Sequence, residues 1–291
     1  MKRSLARRLP VLKKFVRELD ALEKKYAKLK KQRDNLKLDL AETKTHLEAF
    51  QQAEAEVFAR RHLHECPLPV PPESLRLRVH GAREEATFLF VGDAIASRIK
   101  EILVEEGRSF EAPARILDFG CGCGRTLRFF GDRIENRELF ATDIDEEAIA
   151  WCKNNLSSLA SFACNGHEPP LEYESEAFDL IIAISVFTHL PERLEQAWLA
   201  ELRRVAKPGA LLVLSIHGEK LFRNVPSESQ EELRRHGFCF ANCGLTAGLP
   251  DFYQTSFHSE AYVQQYWSRL FQIRRIADLG LQDVVVCEKR S

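Results

Sequence analysis

The chain of 291 residues is 45% hydrophobic and carries a net charge of −1, which is enough length and apolar content for one α/β domain with a real core plus an accessory segment. Its eight cysteines are scattered, without the density of a small disulfide scaffold, and no stretch approaches the roughly 18 uninterrupted apolar residues of a membrane-spanning helix. The basic start Met1–Arg8 has no apolar signal segment behind it, so the expectation is a cytoplasmic protein with reduced thiols.

The near-neutral total hides an asymmetry: residues 1–65 hold 17 Lys and Arg against 10 Asp and Glu, and the remainder is acidic. From Phe15 apolar residues recur in steps of four and three through Leu19, Leu22, Tyr26, Leu29, Leu36, Leu40, Leu47, Phe50 and Val57, with Arg33, Thr43 and Glu54 interrupting the pattern. That is a heptad seam, too narrow to stabilise a helix standing alone. It predicts a coiled coil over residues 1–63 that pairs with a second copy, as a homodimer, or with a partner protein. Lys24, Lys25, Lys28, Lys30 and Lys31 form a basic cluster that reads as a solvated face. Without interleaved aromatics it does not suit nucleic acid, and the apolar face lacks the breadth of a membrane-surface helix, although peripheral contact with an anionic membrane stays open.

Pro67, Pro69, Pro71 and Pro72 end that helix and mark residues 64–112 as a stiff linker followed by a cap helix. Phe88, Val91, Ile95, Ile99 and Leu103 place the cap helix at Glu84–Glu106, where it would cover a sheet or form one wall of a pocket. Val79-His80-Gly81 reads as a hinge before it.

From residue 113 onward short apolar runs alternate with helical segments. Strands are expected near Arg115–Asp118, Glu138–Asp143, Ser161–Cys164, Asp179–Ser185 and Ala210–Ile216, with a closing hairpin of Ile273–Ala277 and Gln282–Glu288. This order predicts a parallel sheet that binds ligands at the carboxyl ends of its strands. The first strand ends in Asp118-Phe119-Gly120-Cys121-Gly122-Cys123-Gly124, whose glycines would turn the backbone sharply and let it approach a ligand. Asp118 would engage a charged amino group, and Asp143, at the tip of the second strand, both hydroxyls of a ribose. Asp143 lies nineteen positions after Gly124, enough for one crossover helix. A dinucleotide site wants a glycine where Arg125 stands, so a pyrophosphate would be crowded there, and the loop points to S-adenosylmethionine rather than NAD. Asp145 reads as the cap of a helix over Glu146–Asn155.

These residues, together with Ala141-Thr142-Asp143-Ile144-Asp145, Phe178-Asp179-Leu180-Ile181-Ile182-Ala183 and Val205-Ala206-Lys207-Pro208-Gly209-Ala210, resemble the class I S-adenosylmethionine-dependent methyltransferases over residues 113–291. The resemblance implies a Rossmann-like seven-stranded sheet with an antiparallel last strand, here preceded by the long N-terminal coiled-coil helix, and S-adenosyl-L-methionine as cofactor. It carries cofactor contacts onto Asp118, Phe119, Gly120, Cys121, Gly122 and Gly124 of the glycine loop, and onto Asp143 and Ile144 after the second strand. Asn165 and Gly166 after the third strand and Ser185 after the fourth complete the set. Asn165 stands where the family often has an aspartate; an asparagine still offers a donor and an acceptor, and a turn-forming Asn-Gly explains the pair equally. The stretch from Ile184 to Pro191 and the ending Gln282-Asp283-Val284-Val285-Val286 resemble a bacterial subgroup often found beside glycosyltransferases, which implies a sugar, glycan or related small-molecule acceptor.

Methyl transfer to a hydroxyl requires the acceptor to be held in line and its proton removed. His189, at the carboxyl end of the fourth strand, and His258, just before a predicted helix, are the candidate bases, with His217 third. Residues 217–258 are too long for a plain connection and read as a cap over the acceptor pocket. Its Phe222, Phe238, Phe240, Phe252, Tyr253 and Phe257 would form the cap's own core or stack on a sugar ring. No Asn-Pro-Pro-Tyr follows the fourth strand, which disfavours methylation of nucleic-acid bases. Cys121 with Cys123, and Cys239 with Cys243 near His236, lack the four-ligand pattern of zinc, so no metal is expected. Two alternatives remain in view: an inactive methyltransferase-like scaffold recruiting a partner through its coiled coil, and transfer to a protein or other nitrogen acceptor.

Overall fold

A computed structural model of the chain describes residues 2–65, 68–110, 112, 114–130, 137–242 and 254–290. The chain divides into two compact units, Met1–Ala55 and Glu56–Ser291.

The first unit belongs to the helix α1 (Lys2–Glu65). Its seam residues lie open, from Leu29 and Leu47 at 54% exposure to Val57 at 71%. The pairs Lys14–Glu18 and Lys44–Glu48 sit one turn apart on its surface, each worth only tenths of a kcal/mol. Such pairs do not replace the burial that normally stabilises a helix of this length.

In the second unit, α2 (Glu73–His80) and α3 (Glu85–Glu105) precede the sheet. The chain then runs through β1 (Ala114–Phe119), β2 (Arg137–Asp143), α4 (Glu146–Asn155), β3 (Ser161–Cys164), β4 (Phe178–Ala183), α5 (Glu192–Val205) and β5 (Ala206–Ile216). After these come α6 (Gln230–His236), β6 (Phe238–Ala241), β7 (Thr255–His258), α7 (Glu260–Tyr266), β8 (Gln272–Asp278) and β9 (Asp283–Glu288). The seven-stranded sheet has the order β3-β2-β1-β4-β5-β9-β8, parallel through β5, with β9 antiparallel to both of its neighbours. This is the expected Rossmann-like sheet with an antiparallel last strand.

Period-two alternation puts the strands' side chains on two faces. Ile116, Leu180, Ile182 and Val213 join one buried cluster with Phe88, Ile99 and Leu103 of α3. Leu117, Ile181 and Leu212 join the other with Trp198, Leu199 and Leu202 of α5. Asp145 caps α4 as expected, its carboxylate accepting from Ala148 N at 3.1 Å.

Three expectations are corrected. The crossover from β1 to β2 carries no α-helix among its described residues, only turns and a 3₁₀ segment at Leu127–Phe129. That face of the sheet is already covered by α3, which approaches so closely at Gly92 that a Cβ there would lie 2.3 Å from the Arg125 carbonyl oxygen. The proline-rich segment is not a spacer: Pro72 starts α2, whose Leu75 is buried, and Arg128 donates to the carbonyls of Leu68 and Pro69. Proline is compatible with a helix start, so the segment packs as a wall. The supposed hinge is the end of α2, where Gly81 takes a left-handed conformation (φ 72°).

The stretch between β5 and α7 does form a small body, with β6 and β7 paired antiparallel around Val225, Leu233, Cys239, Ala241 and Phe257. Phe222 packs against this core and Phe238 against the main one, while Cys243, Gly244, Gly248, Pro250, Phe252 and Tyr253 lie outside the described residues.

Candidate functional site

The carboxyl ends of β1, β2 and β4 surround two cavities, of about 680 Å³ and about 350 Å³. Gly120, Asp143, Ile144, Ser185 and His189 line both. Phe119 and Asn165 line the larger one; Asp118, Cys121 and Gly122 line the smaller. Gly124 and Gly166 line neither. Gly166 instead accepts from Asn165 Nδ2 at 2.8 Å through its carbonyl.

The glycine loop is shaped by the protein itself. Gly120, Gly122 and Gly124 have φ of 80°, 54° and 78°, the left-handed region that disfavours a side chain. A Cβ on Gly120 would lie 2.1 Å from Val186 Cγ2, on Gly122 2.6 Å from Val79 Cγ2, and on Gly124 2.6 Å from Leu156 Cδ1. A side chain at any of the three positions would therefore collide with the protein itself.

Asp143 ties the loop to the tip of β2. Its Oδ2 accepts from Gly122 N at 2.7 Å and its Oδ1 from Asp145 N at 2.9 Å. A carboxylate has about four acceptor sites, so each oxygen keeps capacity for a ligand hydroxyl. Burial pushes the Asp143 carboxyl up, and the two amide hydrogen bonds pull against that. Asp118 is 5% exposed and is pushed up to about 7, first by burial and then by the negative charge of Asp143, with Arg125 opposing.

At the tip of β4, Ser185 takes φ 61°, a strained value for a serine of the kind that gathers at functional sites. Its N donates to Ser215 Oγ at 2.7 Å, and Gln282 Nε2 donates to its Oγ at 2.9 Å. His189 follows on the same loop. Its Nδ1 lies 2.9 Å from the Gln254 carbonyl, which only accepts, so Nδ1 carries the proton and Nε2 is the basic nitrogen of the neutral ring. Burial holds the His189 pKa below its ordinary value.

His258 does not share this site. It is fully buried, lines neither cavity, and its Nε2 meets Glu195 Oε2 at 2.5 Å, in a network where Glu195 also accepts from Tyr262 Oη and Trp267 Nε1. A ring enclosed in this way cannot reach an acceptor, so the expectation of a catalytic His258 is corrected to a packing role. His217 is also buried, lines neither cavity and is driven down to about 4, chiefly by burial; its ring stands edge-on to His189 at 6.2 Å.

Sequence reasoning missed Arg78 and Val79 of α2, which line the smaller cavity, and Trp198 of α5, which lines the larger. Arg125 was weighed only as an obstruction to a pyrophosphate, whereas it lines the smaller cavity. Among the described residues no group of three or more His, Cys, Asp or Glu is placed to hold a metal ion. Burial also pushes the Cys123 thiol up to about 12. No helix among the described residues is long and apolar enough to cross a membrane.

Residues 116–209 match a protein family described as Methyltransferase domain. The chain is 26% identical over 154 residues to the malonyl-[acyl-carrier protein] O-methyltransferase of Geobacter sulfurreducens, covering 53% of this chain and 56% of that protein. It is 28% identical over 134 residues to an uncharacterized protein of Haemophilus influenzae, covering 43% and 51% respectively. The chain thus spans about half the length of the curated relatives it matches. The solved structure of the PH0226 protein from Pyrococcus horikoshii OT3 shares the fold, with a TM-score of 0.50 at 17% identity over 67% of this chain and 90% of that one. Residues 116–209 thus resemble a methyltransferase domain, and the sheet shares the fold of that solved structure.

Proposed function

We propose that the chain transfers a methyl group from S-adenosylmethionine to an oxygen of a sugar, glycan or related small molecule. The observation that carries the cofactor reading is the pair Asp118 and Asp143, held at the tips of neighbouring strands around one cavity within the residues that match a methyltransferase domain. Asp143 keeps acceptor capacity on both oxygens for two ribose hydroxyls, and Asp118, when ionised, suits the ammonium of the amino-acid end. Ile144 and Asn165 would flank the adenine, with Phe119, Gly120, Cys121, Gly122 and Ser185 forming the remaining walls. When bound, S-adenosylmethionine supplies an electrophilic methyl on a sulfonium, whose bonding pair leaves with the sulfur.

His189 is the base of this reading: as the acceptor oxygen bonds to the methyl carbon, the hydroxyl proton passes to Nε2. The Gln254 carbonyl keeps that nitrogen in its basic tautomer, and the lowered pKa keeps the ring neutral at neutral pH. Trp198 and Phe240 offer the larger cavity aromatic faces and Gln254 a polar group, a combination suited to a sugar ring. The Geobacter relative's name, an O-methyltransferase, accords with an oxygen acceptor. Calorimetric titration of the full-length chain is expected to give micromolar binding of S-adenosylhomocysteine and none of NADH. Binding of neither compound would favour an inactive scaffold.

The exposed heptad seam supports a second element of the reading, a coiled coil through α1 that makes a homodimer or engages a partner protein. Sedimentation of the full-length protein is expected to show a dimer at tens of micromolar, and a monomer after the triple change Leu29→Asp, Leu36→Asp and Leu40→Asp. A wild-type monomer would remove self-association and leave the partner.

A further inference from the structure

The charges of α1 are segregated along its length. Residues 22–37 carry seven Lys and Arg against two acids, and residues 39–54 carry one Lys against four acids. The same stretch holds the open seam, in which Leu29, Leu36, Leu40 and Leu47 are all exposed and Arg33, Thr43 and Glu54 occupy seam positions. A second copy laid parallel and in register would set basic half along basic half. It would also bring Arg33 against a second Arg33 and Glu54 against a second Glu54, like charges in layers that have to lose water.

Laid antiparallel, the basic half of each helix runs along the acidic half of the other. We infer that α1 pairs with a second copy of itself in this antiparallel sense, centred between Leu36 and Leu40. The register that sets Leu36 opposite Leu40 of the second copy also sets Leu29 opposite its Leu47 and Tyr26 opposite its Phe50. Each Arg33 then meets a threonine, Thr43, and each Glu54 meets Leu22, so no layer holds two like charges. Beside the seam, Lys30 falls next to Glu48 of the second copy. Glu48 stands 3.7 Å from Lys44 of its own helix, and a carboxylate has acceptor sites for a second lysine. This inference rests on the coiled-coil reading above and adds to it the identity and direction of the partner. The remaining chains of the two copies would leave the pair at opposite ends.

The test uses the full-length protein, treated with a carbodiimide that joins a lysine to a carboxylate without a spacer, then digested for mass spectrometry. Within one helix Lys30 and Glu48 lie about 27 Å apart along the axis, too far for such a bond, so a Lys30–Glu48 link joins two copies. That link is expected in the covalent dimer. A covalent dimer that lacks it, with links confined to residues of similar number such as Asp39 and Lys44, would mean a parallel pair and overturn the inference. Charge reversal reads the same geometry in sedimentation. Lys30→Glu is expected to weaken the dimer by about threefold to thirtyfold, and adding Glu48→Lys to restore it to within about threefold of the wild type. A parallel pair instead sets Lys30 near Lys25 of the second copy, so Lys30→Glu would tighten it. Tightening, or no recovery in the double variant, would also overturn the inference. A wild-type monomer is a separate result, and it would sink self-association itself together with its direction.

Discussion

Replacing Glu195 by alanine is expected to destabilise the folded chain by about 3–5 kcal/mol. Glu195 is fully buried on α5 and accepts from three donors: His258 Nε2 at 2.5 Å, Trp267 Nε1 at 2.9 Å and Tyr262 Oη at 3.1 Å. Burial pushes the Tyr262 phenol up, so it stays a donor across the working pH range. Alanine would strand the His258 and Trp267 donors away from water, at roughly 1–3 kcal/mol each before relaxation, while Tyr262 Oη keeps Glu192 Oε1 at 3.0 Å. In a chain of this size that corresponds to a fall in Tm on the order of 10 °C, read by calorimetry or circular dichroism. Glu231→Ala, which removes an exposed pair with Arg234, is the control and should move Tm by about a degree. An unchanged Tm in Glu195→Ala would mean that the network is not what fastens β7 and α7 to α5. The consequence for the site is direct, since Leu194 and Trp198 of the same helix line the larger cavity.

That network also shows where the sequence stopped being legible. The strands alternate faces with period two, the glycine loop sits between a strand and a turn, and Asp143 and Asp145 stand at strand and helix ends; each leaves a local signature, and each was readable. Glu195 and His258 are 63 residues apart, and nothing near either one announces the other. His258 therefore looked as available as His189, and only the fold separates a ring sealed against α5 from one that lines both cavities. Helix α2 was hidden because its eight residues are too few for a periodic pattern and because prolines precede it. The absence of a crossover helix among the described residues has a similar cause: the spacing allowed a helix, but α3 had already taken the face it would have covered.

Asp143→Ala is expected to weaken S-adenosylhomocysteine by more than about tenfold, because it removes the acceptor for the ribose together with the anchor of Gly122 N and Asp145 N. Its second effect is on Asp118. In the wild type that carboxyl titrates at about 7, raised first by burial and then by Asp143. An ammonium needs Asp118 ionised, so affinity should fall as pH drops through about 7 and level off above it. The unliganded fold responds in the opposite sense. A folded-state pKa above the unfolded one means that ionised Asp118 costs stability at high pH, and that cost is relieved as the pH falls and the group takes up its proton. Mild acid thus stabilises the empty site through this residue while weakening its hold on the ligand. In Asp143→Ala the Coulombic part of the shift disappears and the burial part stays, so the midpoint of the affinity profile should move below 7 without reaching the ordinary carboxylate range. Titrations over roughly pH 5.5 to 8.5 on both proteins test this coupling. A midpoint that does not move would show that Asp143 acts on the cofactor alone, and an affinity loss with no pH dependence in either protein would remove Asp118 from the ammonium.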